Sequence, residues 1–522
     1  MKKITCIVAL LAIMCSNAQS FEWLKTPLIN IDLNTSYTGY PTTSDPDGNV
    51  YIVGLKENPM PQTEQLGTLF YIKYNSAGEE IFNKTITGDA GAYSIAADSQ
   101  GNVVMILGFY NQINIGNVNI IGDITEITDM RFALIKFDPS GNLIWQHRLF
   151  TSESEFNNVA DARSIAFDTQ DNIYIGYDNY RNSYITKYDT DGNALLTISQ
   201  TGAARITSVA VDNAGNIYAS GACANALTVF NGTPTEIIND YNIYAVKYSS
   251  EGVTQWVKNL PDITCPEPHI IARSPNEVYF SSYLFDDYDF DNISSQGPSV
   301  FAEDFFLARL SAVGEYQWVR EVPGDGAATQ GKRNFLALDV QGNVYFAGQT
   351  GGTVHWTDAI TTSQQEWSSR NALVLKYSSQ GNLLNAISVG GTGYNRADAV
   401  TISPTGSIYT SGIANSSISF GNITHEADMF YSYPFLTKIN ADTMSANGQD
   451  FNKPVVYPNP ATSAIYFESN NPVSGSIYNT IGQKVQDFSK ATTTNSVDIS
   501  ALAKGAYLIK TTNNQSLKFI KK

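Results

Sequence analysis

The chain has 522 residues, more than one ordinary core holds, so at least two domains are expected unless repeated units enlarge the structure. Its 39 Gly, 30 Tyr and 25 Phe, beside only 16% charged residues, exclude a protein of long surface helices and favour short strands and turns. The formal charge of -17 excludes nucleic acid as a partner, disfavours an anionic membrane surface and suits a solvating, secreted exterior.

At the N-terminus Lys2 and Lys3 precede an apolar stretch from Ile4 to Met14, and Ser16-Asn17-Ala18 offers small residues to a signal peptidase. Cleavage is expected between Ala18 and Gln19. Cys15 follows Ile13-Met14, which lack the small side chains of a lipid-attachment site. The apolar stretch is too short for a permanent anchor, and no later segment reaches the ~20 apolar residues of a spanning helix, so no transmembrane segment is expected.

From Asp45 onward a pattern D-x-x-G-N-x-Y-x-x-G returns along the chain, opening at Asp45, Asp98, Asp168, Asp212, Arg273, Asp339 and Ser403. It describes a tight hairpin whose fourth residue takes a left-handed backbone, with Gly at most copies and Asp171 and Asn276 as stand-ins. A second pattern, K-Y-x-x-x-G-x-x-x-W, alternates with it from Lys73, Lys136, Lys187, Lys247, Arg309, Lys376 and Lys438. Two hairpins make four strands, and seven such units predict a seven-bladed β-propeller. Nearly unbroken apolar strands such as Val50 to Val53 fit blades buried on both faces. The last unit lacks a fourth strand, while FEWLKTPL from Phe21 matches the outer-strand segments around Trp145, Trp256 and Trp318. Residues 21–28 are therefore expected to close the ring as the outer strand of blade seven, leaving no open seam. The recurring tryptophans are read as packing between blades rather than as a sugar platform. Over residues 21–445 the body resembles the broad β-propeller repeat families of secreted bacterial proteins, without the S-x-D-x-G-x-T-W turn of sialidase-like propellers.

Insertions of similar flavour fall between second and third strands, at Ile113, Leu227, Tyr288 and Ile418, and blade three has almost none. They share a rim with the connections between blades, and this rim is where a ligand is expected. The same geometry brings Cys223 near Cys265, so a disulfide between them is a candidate, with two separate buried thiols as the alternative. The four histidines, His147, His269, His355 and His425, sit in different blades without metal-ligand spacing, and no nucleophile elbow, Walker loop or dinucleotide fingerprint is present. Asp287, Asp289 and Asp291 share one face of a strand and are candidate calcium ligands, although no glycine turn and distal Glu complete a known loop. No other cofactor and no catalytic residue is assigned.

After Lys453 the repeat register stops. Tyr457-Pro458-Asn459-Pro460 opens a run of short strands, followed by Gly482-Gln483-Lys484-Val485, by DISALAKGAYLIK from Asp498 with Gly505 and Tyr507, and by KFIKK from Lys518 through Lys521 and Lys522. Gly482 and Gly505 suit hairpin turns. Together these segments resemble the type A C-terminal sorting domain of the Bacteroidetes type IX secretion system. That resemblance implies a small Ig-like β-sandwich, the type IX machinery as partner, and release or attachment at the cell surface. The expected order is a signal peptide at 1–18, a propeller at 19–450 and a sorting domain at 451–522. The function expected is non-enzymatic binding or adhesion toward an extracellular glycan or protein, with a polysaccharide hydrolase or lyase using rim carboxylates, and a structural envelope component, as alternatives.

Overall fold

The computed structural model describes residues 21–29, 39–57, 66–122, 130–151, 158–223, 227–237, 242–261, 267–298, 303–324, 326–363, 369–391, 393–427, 432–441, 455–468, 472–480, 482–492, 495–512 and 516–522. Every regular element among them is a β-strand. The chain divides into two compact units, residues 1–445 and 446–522.

In the first unit the described strands form antiparallel sheets, of four strands in the simplest cases and larger where an insertion hairpin or the long strand Glu80–Ala97 extends them. Neighbouring blades meet through their innermost strands in cyclic order, and Arg396–Ile402 of the last returns to Thr42–Ser44 of the first. At that junction Ser44 and Thr401 share a hydroxyl hydrogen bond of 3.0 Å. The arrangement is a closed β-propeller. Phe21–Lys25 pairs antiparallel with Ser432–Ile439, setting Trp23 opposite Lys438, and the Thr437 hydroxyl donates to the Trp23 carbonyl at 2.6 Å. The closing strand is thus the one the sequence predicts, ending at Lys25.

The two repeated motifs are one device. In blade one the Asp45 carboxylate accepts the Asn49 backbone and side-chain N–H groups, and Tyr51 Oη donates to it at 3.1 Å. From the second motif, Lys73 Nζ reaches the same carboxylate at 3.1 Å. The ion pair recurs at Lys136–Asp98 and Lys187–Asp168, and more loosely at Lys376–Asp339. Each turn is closed by a left-handed residue, Asp171 included at φ 61°. Blade five departs: Asn276 is not left-handed, because Pro275 and Asn276 alone join strands that pair through Ser274 and Glu277. There Arg273 replaces the aspartate and pairs with Glu277, at the place of the Asn, at 2.6 Å, while Arg309 at the lysine position donates to the Asn276 carbonyl.

Blades are joined by the tryptophans. Nε1 of Trp145, Trp256 and Trp318 each donates at 3.0–3.1 Å to a carbonyl in the next blade's second turn, and Trp23 does the same to Ser76 across the closure. Their rings lie on the turn glycines: a Cβ on Gly78, Gly314 or Gly381 would stand 2.7–2.9 Å from the indole. Glycine is therefore needed twice there, for its positive φ and for the ring above it.

The insertions are hairpins. Phe230, Phe290 and Phe420 are buried at their bends, beside left-handed Asn231, Asp291 and Gly421. Three of them extend the outer strand of the preceding blade, at Ile86 with Ile115, Gln200 with Phe230 and Gly390 with Ser419. Their likeness to one another reflects apolar clasping between blades.

In the second unit, Val455–Tyr457, Ala464–Glu468 and Val497–Asp498 form one sheet, and Lys484–Ala491, Val473–Tyr478, Gly505–Thr511 and Ser516–Lys521 another. Ile465, Phe467, Ile477, Ile509 and Phe519 make their common core. Gly482 is left-handed in its turn, whereas Gly505 opens a strand instead of making the expected turn.

Two substitutions check this account. Trp23→Ala removes a buried ring and the closing hydrogen bond, and is expected to lower propeller stability by about 3–5 kcal/mol in urea denaturation. Lys136→Ala strands the buried Asp98 carboxylate and is expected to cost about 3 kcal/mol or more, with Asp98→Asn/Lys136→Met recovering much of that loss.

Candidate functional site

The sequence-predicted sites do not assemble into one place. Asp291 is held by Lys258 at 2.8 Å, Asp289 accepts the Ser294 hydroxyl, and Asp287 donates its backbone N–H to Asp286. The carboxylates of Asp289 and Asp291 thus have separate partners, and no cluster of three or more His, Cys, Asp or Glu able to hold a metal occurs among the described residues. Cys223 is a buried free thiol, its pKa pushed up to about 12 by burial. Its proposed partner Cys265 lies outside the described residues, as do Ala18 and Gln19. His269 is half-buried against Phe335 with its pKa pulled down to about 4 by desolvation, and it lies apart from the histidines on outer strands and insertions.

The two ends of the C-terminal signal do come together. Asn459 Nδ2 donates to the Lys518 carbonyl at 3.1 Å, and its Oδ1 accepts the Ile520 N–H at 2.9 Å. Ala461 and Lys522 continue that pairing through their backbones. Tyr507 stacks on Phe519 and donates to the Ala503 carbonyl, while Val485, Lys518 and Lys522 face solvent.

In the propeller, a cavity of about 270 Å³ opens along the central channel, lined by the innermost strands and the connections leading into them. Its charged wall is formed by Arg163, Glu267, Lys332 and Arg333 beside Tyr93. Arg163 is fixed between Asp161 and Glu267, both at 2.6 Å, and Arg205 reaches Asp161 at 2.5 Å from the neighbouring blade. Lys332 stands 4.0 Å from Glu267. The Arg333 guanidinium lies 5.5 Å from the Tyr93 ring centroid and donates to the Lys332 carbonyl at 3.3 Å, but its Nε is shut from solvent without a hydrogen-bond partner.

Burial pushes the Glu267 carboxyl up, yet Arg163, Lys332 and Arg333 outweigh it and hold its pKa below the ordinary value. Burial and then the charge of Arg163 pull Arg333 down. Behind the wall, burial and Asp161 push the fully buried Asp178 up to about 7. Asp178 also accepts the backbone N–H groups of Tyr180 and Ile206. Tyr180 forms the tip of the blade-three turn that lacks an insertion, with φ 63° and 59% of its surface exposed, and the Arg205 guanidinium covers one face of its ring at 5.2 Å. Sequence reasoning missed this group because most of it lies on the innermost strands and the connections into them, outside the repeated turn motifs. A signal was present: Arg163, Arg205, Arg333 and Arg396 each fall five to seven residues before a turn-opening Asp or Ser.

Among known proteins, residues 455–522 match the family of the secretion system C-terminal sorting domain. A stretch of 193 residues is 29% identical to an uncharacterized WD repeat-containing protein of Acanthamoeba polyphaga mimivirus, over 30% of this chain and 14% of that protein. The chain thus spans about one seventh of that relative's length. Among solved structures, the Dos1 propeller is similar at 10% identity and TM-score 0.37, covering 79% of this chain and 95% of that one. The polysaccharide lyase Uly1 is similar at 12% identity and TM-score 0.43, covering 80% and 92%. No described helix is long and apolar enough to cross a membrane. The cyclic strand order and the matched C-terminal segment together make the chain a β-propeller protein that carries a type IX secretion system sorting domain and is exported to the cell surface or beyond.

Proposed function

We propose that the exported propeller is a non-enzymatic binding or adhesion protein whose ligand enters the central channel, on the wall formed by Arg163, Lys332 and Arg333. The observation that carries this reading is the state of the carboxyls. Acid catalysis needs a carboxyl of raised pKa facing the substrate. Here the carboxyls raised to about 7, Asp178 and Asp304, are buried and do not line the cavity, while Glu267, which does, is held low. Such a wall suits holding a ligand better than proton transfer, which favours binding over the hydrolase or lyase alternative. The buried phenylalanines of the insertions also move the expected site from the rim to the channel.

The test is a glycan and protein binding screen of the whole chain, run beside hydrolysis and lyase assays. Ser94 lines the cavity, and Ser94→Trp is expected to abolish binding while leaving thermal stability near that of the parent. Turnover of any screened substrate would overturn the reading. The structure of the wall also has a pH signature. Folded Asp178 holds its proton to about pH 7, against about 4 in the unfolded chain. The stability it contributes is complete below that unfolded value and is lost as pH rises through 7. Asp178→Asn is therefore expected to flatten the decline in unfolding free energy between about pH 4 and 7, measured by denaturant titration at each pH.

A further inference from the structure

Resting on the channel reading above, the charges of the wall point to the chemistry of the ligand. Arg163 and Arg205 each have a carboxylate within hydrogen-bond distance, and Arg396 pairs with Asp398. Lys332 has Glu267. Arg333 alone of these cations has no carboxylate within 4.0 Å among the described residues, and its side chain makes one hydrogen bond, to a carbonyl. Glu267 and Asp398 favour its charge only from beyond ion-pair distance, and burial beside Arg163 outweighs them, so an anion brought by a ligand would offset the cost of that burial. In a chain of net charge -17, this is a local excess of positive charge at the one channel through the ring.

Tyr180 supplies a second, independent observation. An aromatic residue at φ 63° is strained, and such strain persists where the surroundings enforce it. Here the Asp178 carboxylate, hydrogen-bonded to the Tyr180 N–H, helps to enforce it. The result is a ring with one face on Arg205, standing at the gap left by the missing insertion. Arg205 connects through Asp161 to Arg163 on the cavity wall, so the ring and the cation wall belong to one network. A flat apolar face beside guanidinium groups fits a ring that carries a single negative charge.

We propose that the channel mouth binds an acidic saccharide, with the anionic group of one sugar, a carboxylate or a sulfate monoester, on Arg333 beside Arg163, and a neighbouring sugar ring against Tyr180.

The whole chain would be titrated by calorimetry with oligogalacturonate, with a sulfated galactan oligosaccharide and with a neutral cello-oligosaccharide of equal length. At least one acidic probe is expected to bind and the neutral one not to, with affinity falling as salt is raised. Arg333→Gln is expected to weaken binding by about tenfold or more, as befits one charge-assisted contact, and Tyr180→Ala to weaken it several-fold. Lys484→Gln, in the other unit, is expected to change nothing, and circular dichroism with a melting curve checks that each variant is folded. The comparison of the two acidic probes separates carboxylate from sulfate. Failure of both to bind, equal binding of the neutral probe, or an unchanged affinity in folded Arg333→Gln would overturn the acidic-saccharide proposal. If a neutral sugar binds and Ser94→Trp blocks it, the channel reading stands without this one. If Ser94→Trp leaves saccharide binding intact, the channel reading itself falls.

Discussion

The turn aspartate is the constraint on which the propeller depends. Its carboxylate organises the first hairpin through backbone and Asn hydrogen bonds, receives the Tyr of the second strand, and neutralises the Lys of the third. That Lys then donates to a carbonyl in the next blade, as Lys73 does to Pro139 and Lys136 to Thr190. One buried charge thus fixes a turn, ties three strands of a blade and aims a donor at its neighbour. Because the pair is desolvated, either partner alone would be an uncompensated charge, so the knot favours one register over slipped alternatives. Blade five replaces the scheme with an Arg273–Glu277 pair within the first turn, and its Arg309, at the lysine position, binds the Asn276 carbonyl instead of a carboxylate.

The hairpins were legible in the sequence because tight turns accept few residue types. Gly48, Gly101 and Asp171 take left-handed conformations that most side chains resist, and that preference can be read locally. The Trp23 register was legible for a similar reason, since an indole lying on a neighbour's glycine recurs at a fixed place in the repeat. The second motif's Lys reads only as a hairpin marker, because its partner Asp is far off in sequence and only the blade brings them together. Asn276 misled for want of one distinction: a two-residue bend closes there without any left-handed residue.

The channel was less legible because its residues keep only a loose spacing. Arg163 lies near the start of an innermost strand while Glu267 and Arg333 lie on connections, and variation in the length of those connections hides a recurring side chain. The insertions vary as a binding surface would, yet their Phe230, Phe290 and Phe420 are buried in packing between strands. Aspartates there, such as Asp291 with Lys258, decorate a hairpin rather than surround an ion. The acidic exterior and the cationic channel are complementary aspects of one design, in which negative charge is spread over the surface while arginines gather on the axis.

Closure by Phe21–Lys25 imposes an order of events on the molecule's assembly. The first strand of the ring cannot find its seat until residue 439, the far end of its partner, has been made, so a growing chain stays an unsealed arc throughout most of its synthesis. A contact spanning nearly the whole propeller is also among the slowest to form. The chain therefore reaches its sealed state only as a finished product, and a truncated copy would betray itself by an unpaired edge.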